Sequence, residues 1–264
     1  AAIRLVSHEV PELSELGLPK TVEEFAEYSH GLVLVAGEAG AGKSTTLAAI
    51  LDRINQNQSK HILTLEAPVE YLFTPNKCVI NQREVGRDTK SFAAGLSAAL
   101  RADPDVILLS ELRDSETIET ALIAAETGHL VLSTVRTGSA VGAVDHIVDL
   151  FPVKHQPLIR LQLSTTLKAV LNQRLLPKAG GGRVAACEVM KTDGTIRRLI
   201  REGKTSQLPA AVQAPGNTGN ILMDRAMQAL LTAGTISRET YENAMQVPDM
   251  VPQTGQTRVI GMVR

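Results

Sequence analysis

The residues of this sequence with the clearest chemical capacity are Gly37-Glu38-Ala39-Gly40-Ala41-Gly42-Lys43-Ser44. They match G-x-x-x-x-G-K-[ST] at every fixed position, with an unbroken apolar run, Leu32 to Ala36, before them and a helical pattern from Thr45 to Ile54 after them. Strand, loop and helix in that order make a phosphate site. Glycines let backbone N–H groups turn inward toward an anion, and the helix N-terminus adds partial positive charge. The candidate nucleotide-binding set is therefore Gly37, Gly40, Ala41, Gly42, Lys43, Ser44 and Thr45. Lys43 is expected to reach the β- and γ-phosphates of ATP, and Ser44 to hold Mg²⁺.

Two carboxylates are candidates to act beside that loop. Asp103-Pro104-Asp105 leads into Val106-Ile107-Leu108-Leu109, a run apolar enough for a fully buried parallel strand, which delivers Ser110 and Glu111 at its carboxyl end. A glutamate so placed can orient and deprotonate the water that attacks a γ-phosphate; the other reading is a strand-end carboxylate that caps the following turn. Glu66 ends a second short strand, Lys60 to Leu65, with Glu70 just beyond Pro68. Ligands of open α/β sheets bind outside the carboxyl ends of strands, so both glutamates are expected to face the nucleotide.

The elements that must position these groups alternate in kind. Strands are expected near 32–36, 60–65, 77–82, 106–109 and 129–135, and helices near 45–54, 91–101 and 116–127, with a last helix from the N-cap Ser139 to Phe151. That alternation implies an α/β fold, a mostly parallel sheet wrapped on both faces. Residues 1–30 read as an approach or linker segment with a short amphipathic helix from Val22 to Tyr28. Residues 31–152 read as the nucleotide-binding core, and 153–246 as a smaller, mostly helical second domain. Within that second domain, a helix carries Leu158, Leu161, Leu167 and Val170, and a hairpin flanks Gly180-Gly181-Gly182. Residues 247–264, with Pro248, Pro252 and Gly255 and no periodicity, read as a mobile tail.

Composition removes several classes of function. The chain has 264 residues, 44% hydrophobic and 21% charged, enough for a real core. A net charge of -1 without a basic stripe argues against a nucleic-acid partner. Cys78 and Cys187 are separate thiols without metal-ligand spacing. No apolar run has the length of a membrane span, so a membrane role is expected to come through a partner.

The markers Gly31 to Ala49 (GLVLVAGEAGAGKSTTLAA), Asp103 to Asp114 (DPDVILLSELRD), Ala124 to Leu130 (AAETGHL) and Gly181 to Ala186 (GGRVAA) closely resemble the secretion ATPases of type IV pili, most specifically their retraction motors. The resemblance runs over nearly the whole chain. It implies a RecA-like motor domain in a ring-shaped homohexamer, ATP hydrolysis with Mg²⁺, and pilin removal through an inner-membrane platform protein, with the motor at the cytoplasmic side. It also identifies an aspartate box at Thr64 to Glu70 and a histidine box at Gly128 to Thr137, which add Glu66 and His129 to Glu111 as candidate catalytic residues; a buried strand-start histidine is the alternative for His129. Both boxes depart from the family pattern. Ala67 stands where a second acidic residue is usual and Arg136 where the second histidine is usual. Thr195 to Glu202 (TIRRLIRE) resembles the retraction motif, or is an exposed basic helix face. Relatives carry an N-terminal domain of which only the trailing end could fit before Gly31. Two functions therefore stay open: a working retraction motor, or an ATP-binding but catalytically weak ring subunit. A small-molecule kinase would need a lid and an acceptor site that the sequence does not display.

Overall fold

The computed structural model describes residues 9–246, and the expected tail lies outside them. A single-turn 3₁₀ helix, Leu13–Leu16, and a longer one, Lys20–Glu27, open the described chain. Then follow β1 (Gly31–Ala36), α1 (Lys43–Asn57), β2 (His61–Glu66), β3 (Val79–Glu84), α2 (Phe92–Ala99), β4 (Val106–Leu109), α3 (Ser115–Glu126), β5 (Leu130–Val135) and α4 (Ala140–Asp149). The remainder is α5 (Gln156–Thr166), β6 (Leu167–Pro177), β7 (Arg183–Lys191), α6 (Gly194–Arg201), α7 (Leu208–Val212), α8 (Met223–Thr232) and α9 (Arg238–Gln246).

The strands form one sheet of seven in the order β3-β2-β4-β5-β1-β6-β7. Each pairing is parallel except β6 with β7. β1, β4 and β5 are buried at every position, which is why they read as continuous apolar runs. Side chains of successive strand residues point to opposite faces. Leu32 and Leu34 of β1 thus join one core with α3, α4 and α5, while Val33 and Val35 join the other with α1. β3, at the edge, is the polar VINQRE and partly exposed along its length, which suits a strand with one unpaired side.

The hairpin expected after residue 153 is not set apart from this sheet. Leu167 and Val170, expected in a helix, lie in β6, because α5 stops at Thr166 and the chain then pairs in parallel with β1, Val33 opposite Ala169 and Val35 opposite Leu171. The apolar residues 167–171 fit a helical spacing as well as a strand, and burial against β1 and β7 decides between them. Gly181 and Gly182, with φ of 90° and 78°, turn the chain back into β7.

The segment before β1 is part of the core. Its helix is 3₁₀ in type and starts at Lys20. Val22, Phe25 and Ala26 are fully buried in the α1-side core, and Glu23 pairs with Arg53 of α1 at 2.9 Å. Phe25→Ala should therefore lower stability by about 3–5 kcal/mol, the usual result of emptying a buried aromatic site. Urea unfolding checks this, and a loss under about 1 kcal/mol would mean that the segment is only loosely attached.

Candidate functional site

The loop between β1 and α1 leaves the sheet at its carboxyl edge, and its glycines are required by what lies beneath it. Gly37 has φ of 143°, and a Cβ there would meet the Gln173 carbonyl oxygen at 2.5 Å. A Cβ on Gly42, at φ of 88°, would meet the Gln173 side-chain nitrogen at 2.8 Å. Gln173 of β6 is 3% exposed, and its Oε1 accepts a hydrogen bond from Thr46 of α1 at 2.8 Å. The loop is thus held against a fixed floor. Lys43 Nζ donates to the carbonyls of Gly37 and Glu38, each at 2.8 Å, bridging the loop from inside. Partial burial, then the nearby Arg136 charge, pull the Lys43 ammonium below its ordinary value, against the opposing effect of Glu111, Glu70 and Glu38.

β2 and β4 bring the carboxylates. Glu66, the last residue of β2, is 6% exposed and its Oε1 accepts from Thr64 at 2.7 Å and from Gln82 of β3 at 3.1 Å. Burial raises its carboxyl above the ordinary value, and those hydrogen bonds offset part of the rise. Gln82 also donates to Tyr71 O and accepts from Phe73 N, so one edge-strand side chain fixes both Glu66 and the loop beyond it. Tyr71 shares a 2.8 Å hydrogen bond with Thr45 of α1.

The end of β4 is tied to β5 by two hydroxyls, Ser133 to Leu109 O at 2.8 Å and Thr134 to Ser110 O at 2.6 Å. Glu111 follows, and both of its oxygens are engaged. Arg136 Nε lies 2.7 Å from Oε1, while Arg113 approaches Oε2 with Nη2 at 2.6 Å and Nε at 2.7 Å. A second Arg136 nitrogen reaches Oε2 at 3.2 Å.

These groups line one cleft of about 640 Å³. Gly40, Gly42, Lys43, Ser44, Thr45, Glu66 and Glu111 of the expected set are on its wall, along with Glu70 and Ala67. Gly37 and Ala41 shape the loop behind it. His129 is not brought there. It precedes β5, at the amino end of the sheet, with its Nδ1 3.0 Å from Ala124 O and 3.2 Å from Thr127 Oγ1. The physical reason is strand direction: a residue just before a parallel strand lies opposite the end where the phosphate loop sits.

Gln173 and Tyr71 of the site carry no sequence signal, while Gln82 and Arg183 lie in stretches that mark the family resemblance, Asn81 to Val85 and Gly181 to Ala186, without a role that the sequence assigns. Arg183 reaches the cleft from the β6–β7 hairpin, whose place in the sheet no local pattern reveals. The two thiols stay out of the chemistry. Both are buried, and burial pushes Cys187 up to about 12.

A phosphate loop opening a helix, over the carboxyl edge of a parallel sheet and facing two carboxylates, defines a P-loop nucleoside triphosphatase. A family profile described as "Type II/IV secretion system protein" matches residues 1–246. The chain belongs to that family. It is 45% identical over 249 residues to the "Type IV pilus retractation ATPase PilT" of Pseudomonas aeruginosa, covering 94% of this chain and 72% of that protein. It is also 45% identical to the "Twitching motility protein" of Neisseria gonorrhoeae, covering 93% and 66% respectively. Among solved structures, that of the pilus retraction motor PilT with bound ADP superimposes with a TM-score of 0.87 at 47% identity, over 94% of this chain and 71% of that one. The Legionella pneumophila ATPase DotB does so at 0.84 and 29%, over 92% and 67%. The chain therefore has the RecA-like core expected of it, within a family of ATPases.

The raised Glu66 carboxyl has a consequence for stability. Both folded and unfolded forms are protonated below the ordinary value of 4.5, so charge burial costs nothing there. As pH rises from 4.5 through the folded-state value, the unfolded chain ionises first and stability is lost. Glu66→Gln, which keeps an acceptor for Thr64 and Gln82, should gain on the parent across that window by at most about 1.4 kcal/mol per pH unit, then hold level. Urea unfolding between pH 4.5 and pH 8 reads this; a difference independent of pH would show that burial does not disfavour the charged form.

Proposed function

We propose that the chain is the motor portion of a type IV pilus retraction ATPase. It hydrolyses ATP with Mg²⁺ as a ring of six copies and draws pilin out through an inner-membrane platform protein, working at the cytoplasmic face. The observation that carries this is the pairing of a complete phosphate loop with Glu111 across one cleft, in a chain that resembles the retraction ATPase of P. aeruginosa along 94% of its length. Among the described residues no helix is long and apolar enough to cross a membrane.

In this reading the loop N–H groups and Lys43 bind the phosphates and orient the γ-phosphorus. Ser44 and a neighbouring carboxylate suit Mg²⁺, which in nucleotide sites takes few protein ligands and completes its shell with phosphate and water. The ion supplies charge neutralisation on the phosphates. Glu111 accepts the proton of the attacking water, and Arg113 on the cleft wall is available to the negative charge that develops. In the ring, Arg83 and Arg87 are candidates to complete a neighbouring copy's site, as arginines do in related motors.

The Glu111 geometry favours a second reading, a slow enzyme. A carboxylate whose two oxygens both face guanidinium groups has few lone pairs left for water. Arg136, where relatives have histidine, makes one of these contacts, and Ala67 leaves a stretch of cleft wall without the acidic group usual in relatives.

Lys43→Ala should abolish measurable ATP binding while leaving thermal unfolding near that of the parent, because the hydrogen bonds of Nζ go to the loop carbonyls of Gly37 and Glu38. Normal binding by this variant would overturn the phosphate-site assignment. Glu111→Gln should bind ATP and leave it unhydrolysed; equal turnover with the parent would make Glu111 structural. Ala67→Asp with Arg136→His should raise kcat at least about tenfold with little change in ATP affinity, a conservative share of what one well-placed polar group contributes. Rates measured for the parent, each single variant and the double decide this, and four indistinguishable values would refute the crevice explanation.

A further inference from the structure

A second cleft, of about 450 Å³, opens at the opposite end of the sheet from the phosphate loop. Its floor is formed where β6 begins and β7 ends, and its walls come from Lys20–Glu27 and the adjoining Tyr28, from α6, and from the loop 216–220. That loop is pressed down firmly: a Cβ on Gly219, at φ of 86°, would lie 2.6 Å from Thr21 Oγ1, and Asn220 Oδ1 accepts from Lys191 N at 2.7 Å.

Three cations face this cleft, and they are not equivalent. Lys191 is matched by Glu24 at 3.0 Å. Lys168 and Arg197 are not: among the described residues no ion pair joins a carboxylate to either, and Asp193 in the same wall caps α6 through Ile196 N at 2.7 Å. Lys168 Nζ donates a long hydrogen bond to a neutral acceptor, His30 Nε2, at 3.4 Å. Burial, and then the charge of Arg197, draw the Lys168 ammonium below its ordinary value. Two half-buried cations that line one cleft without an ion-pair partner are favoured by an anion that joins them. Tyr28, whose phenol burial holds in the protonated form, and Thr218 offer neutral hydroxyl donors on the same wall.

We propose that this cleft is a binding site for a small soluble anion bearing a phosphate group, with Lys168 and Arg197 supplying the charge. A planar guanidinium beside an ammonium matches the several oxygens and roughly double charge of a phosphate, whereas a single carboxylate neutralises only one of them. The site is separate from the nucleotide cleft and does not rest on the activity assigned to that cleft.

The test is calorimetric titration of the whole chain carrying Lys43→Ala, which removes phosphate binding at the loop, with inorganic pyrophosphate, and with sodium acetate as the carboxylate control. Saturable pyrophosphate binding is expected. Lys168→Gln and Arg197→Gln should each weaken it by about tenfold or more, the effect of losing one charge-assisted contact. Lys168→Arg should retain it, and all three variants should unfold thermally near the parent, which reports that they fold. The proposal is overturned if the parent shows no saturable binding, if the glutamine variants bind as the parent does, or if acetate binds as tightly as pyrophosphate.

Discussion

A phosphate site built from backbone N–H groups depends on clearance: the chain must turn tightly where no Cβ can stand, and it must turn over something that does not move. In this protein the immovable part is Gln173, whose backbone carbonyl lies under Gly37 and whose buried side chain lies between Gly42 and Thr46. The parallel pairing of β6 with β1 puts it there. The hairpin that looked like a peripheral feature is thus the support on which the loop rests. The core on the α1 side, continued by Phe25 and its neighbours before β1, holds the helix that the loop opens.

The same economy of support runs across the other side of the cleft. Gln82, on a partly exposed edge strand, fixes Glu66 and the Tyr71–Phe73 backbone together. The hydroxyls of Ser133 and Thr134 tie the end of β5 to the end of β4, so that Arg136 and Glu111 emerge from strands locked in register. Preorganisation of this kind serves a charge-stabilising site well. It also places Glu111 between two guanidinium groups, so that both of its oxygens are already engaged.

Much of the architecture was legible in local patterns because local physics sets them. The apolar run of β1, the glycine spacing that follows and the helix after it belong to neighbouring residues, and the structure has them in that order. Ser139 caps α4 through its hydroxyl at Gly142 N, as its place before an apolar helix suggested. Leu167 and Val170 show the limit. Their spacing suits a helix as well as a strand, and only the partner strands β1 and β7 settle which forms.

By itself, then, the sequence determined the phosphate loop, the strand ending at Glu111, the alternation that makes a parallel sheet and the departures at Ala67 and Arg136, since each depends on residue type and on spacing over a few turns. Only the tertiary structure decided the strand order, the floor at Gln173, the contact of Arg136 with Glu111, and the meeting of Lys168 with Arg197 at the far end. It also decided that His129, for all its place in a recognisable motif, stands away from the cleft. These outcomes join residues distant along the chain, brought together by crossovers and buried packing, and no short-range signal encodes which strand will lie beside which.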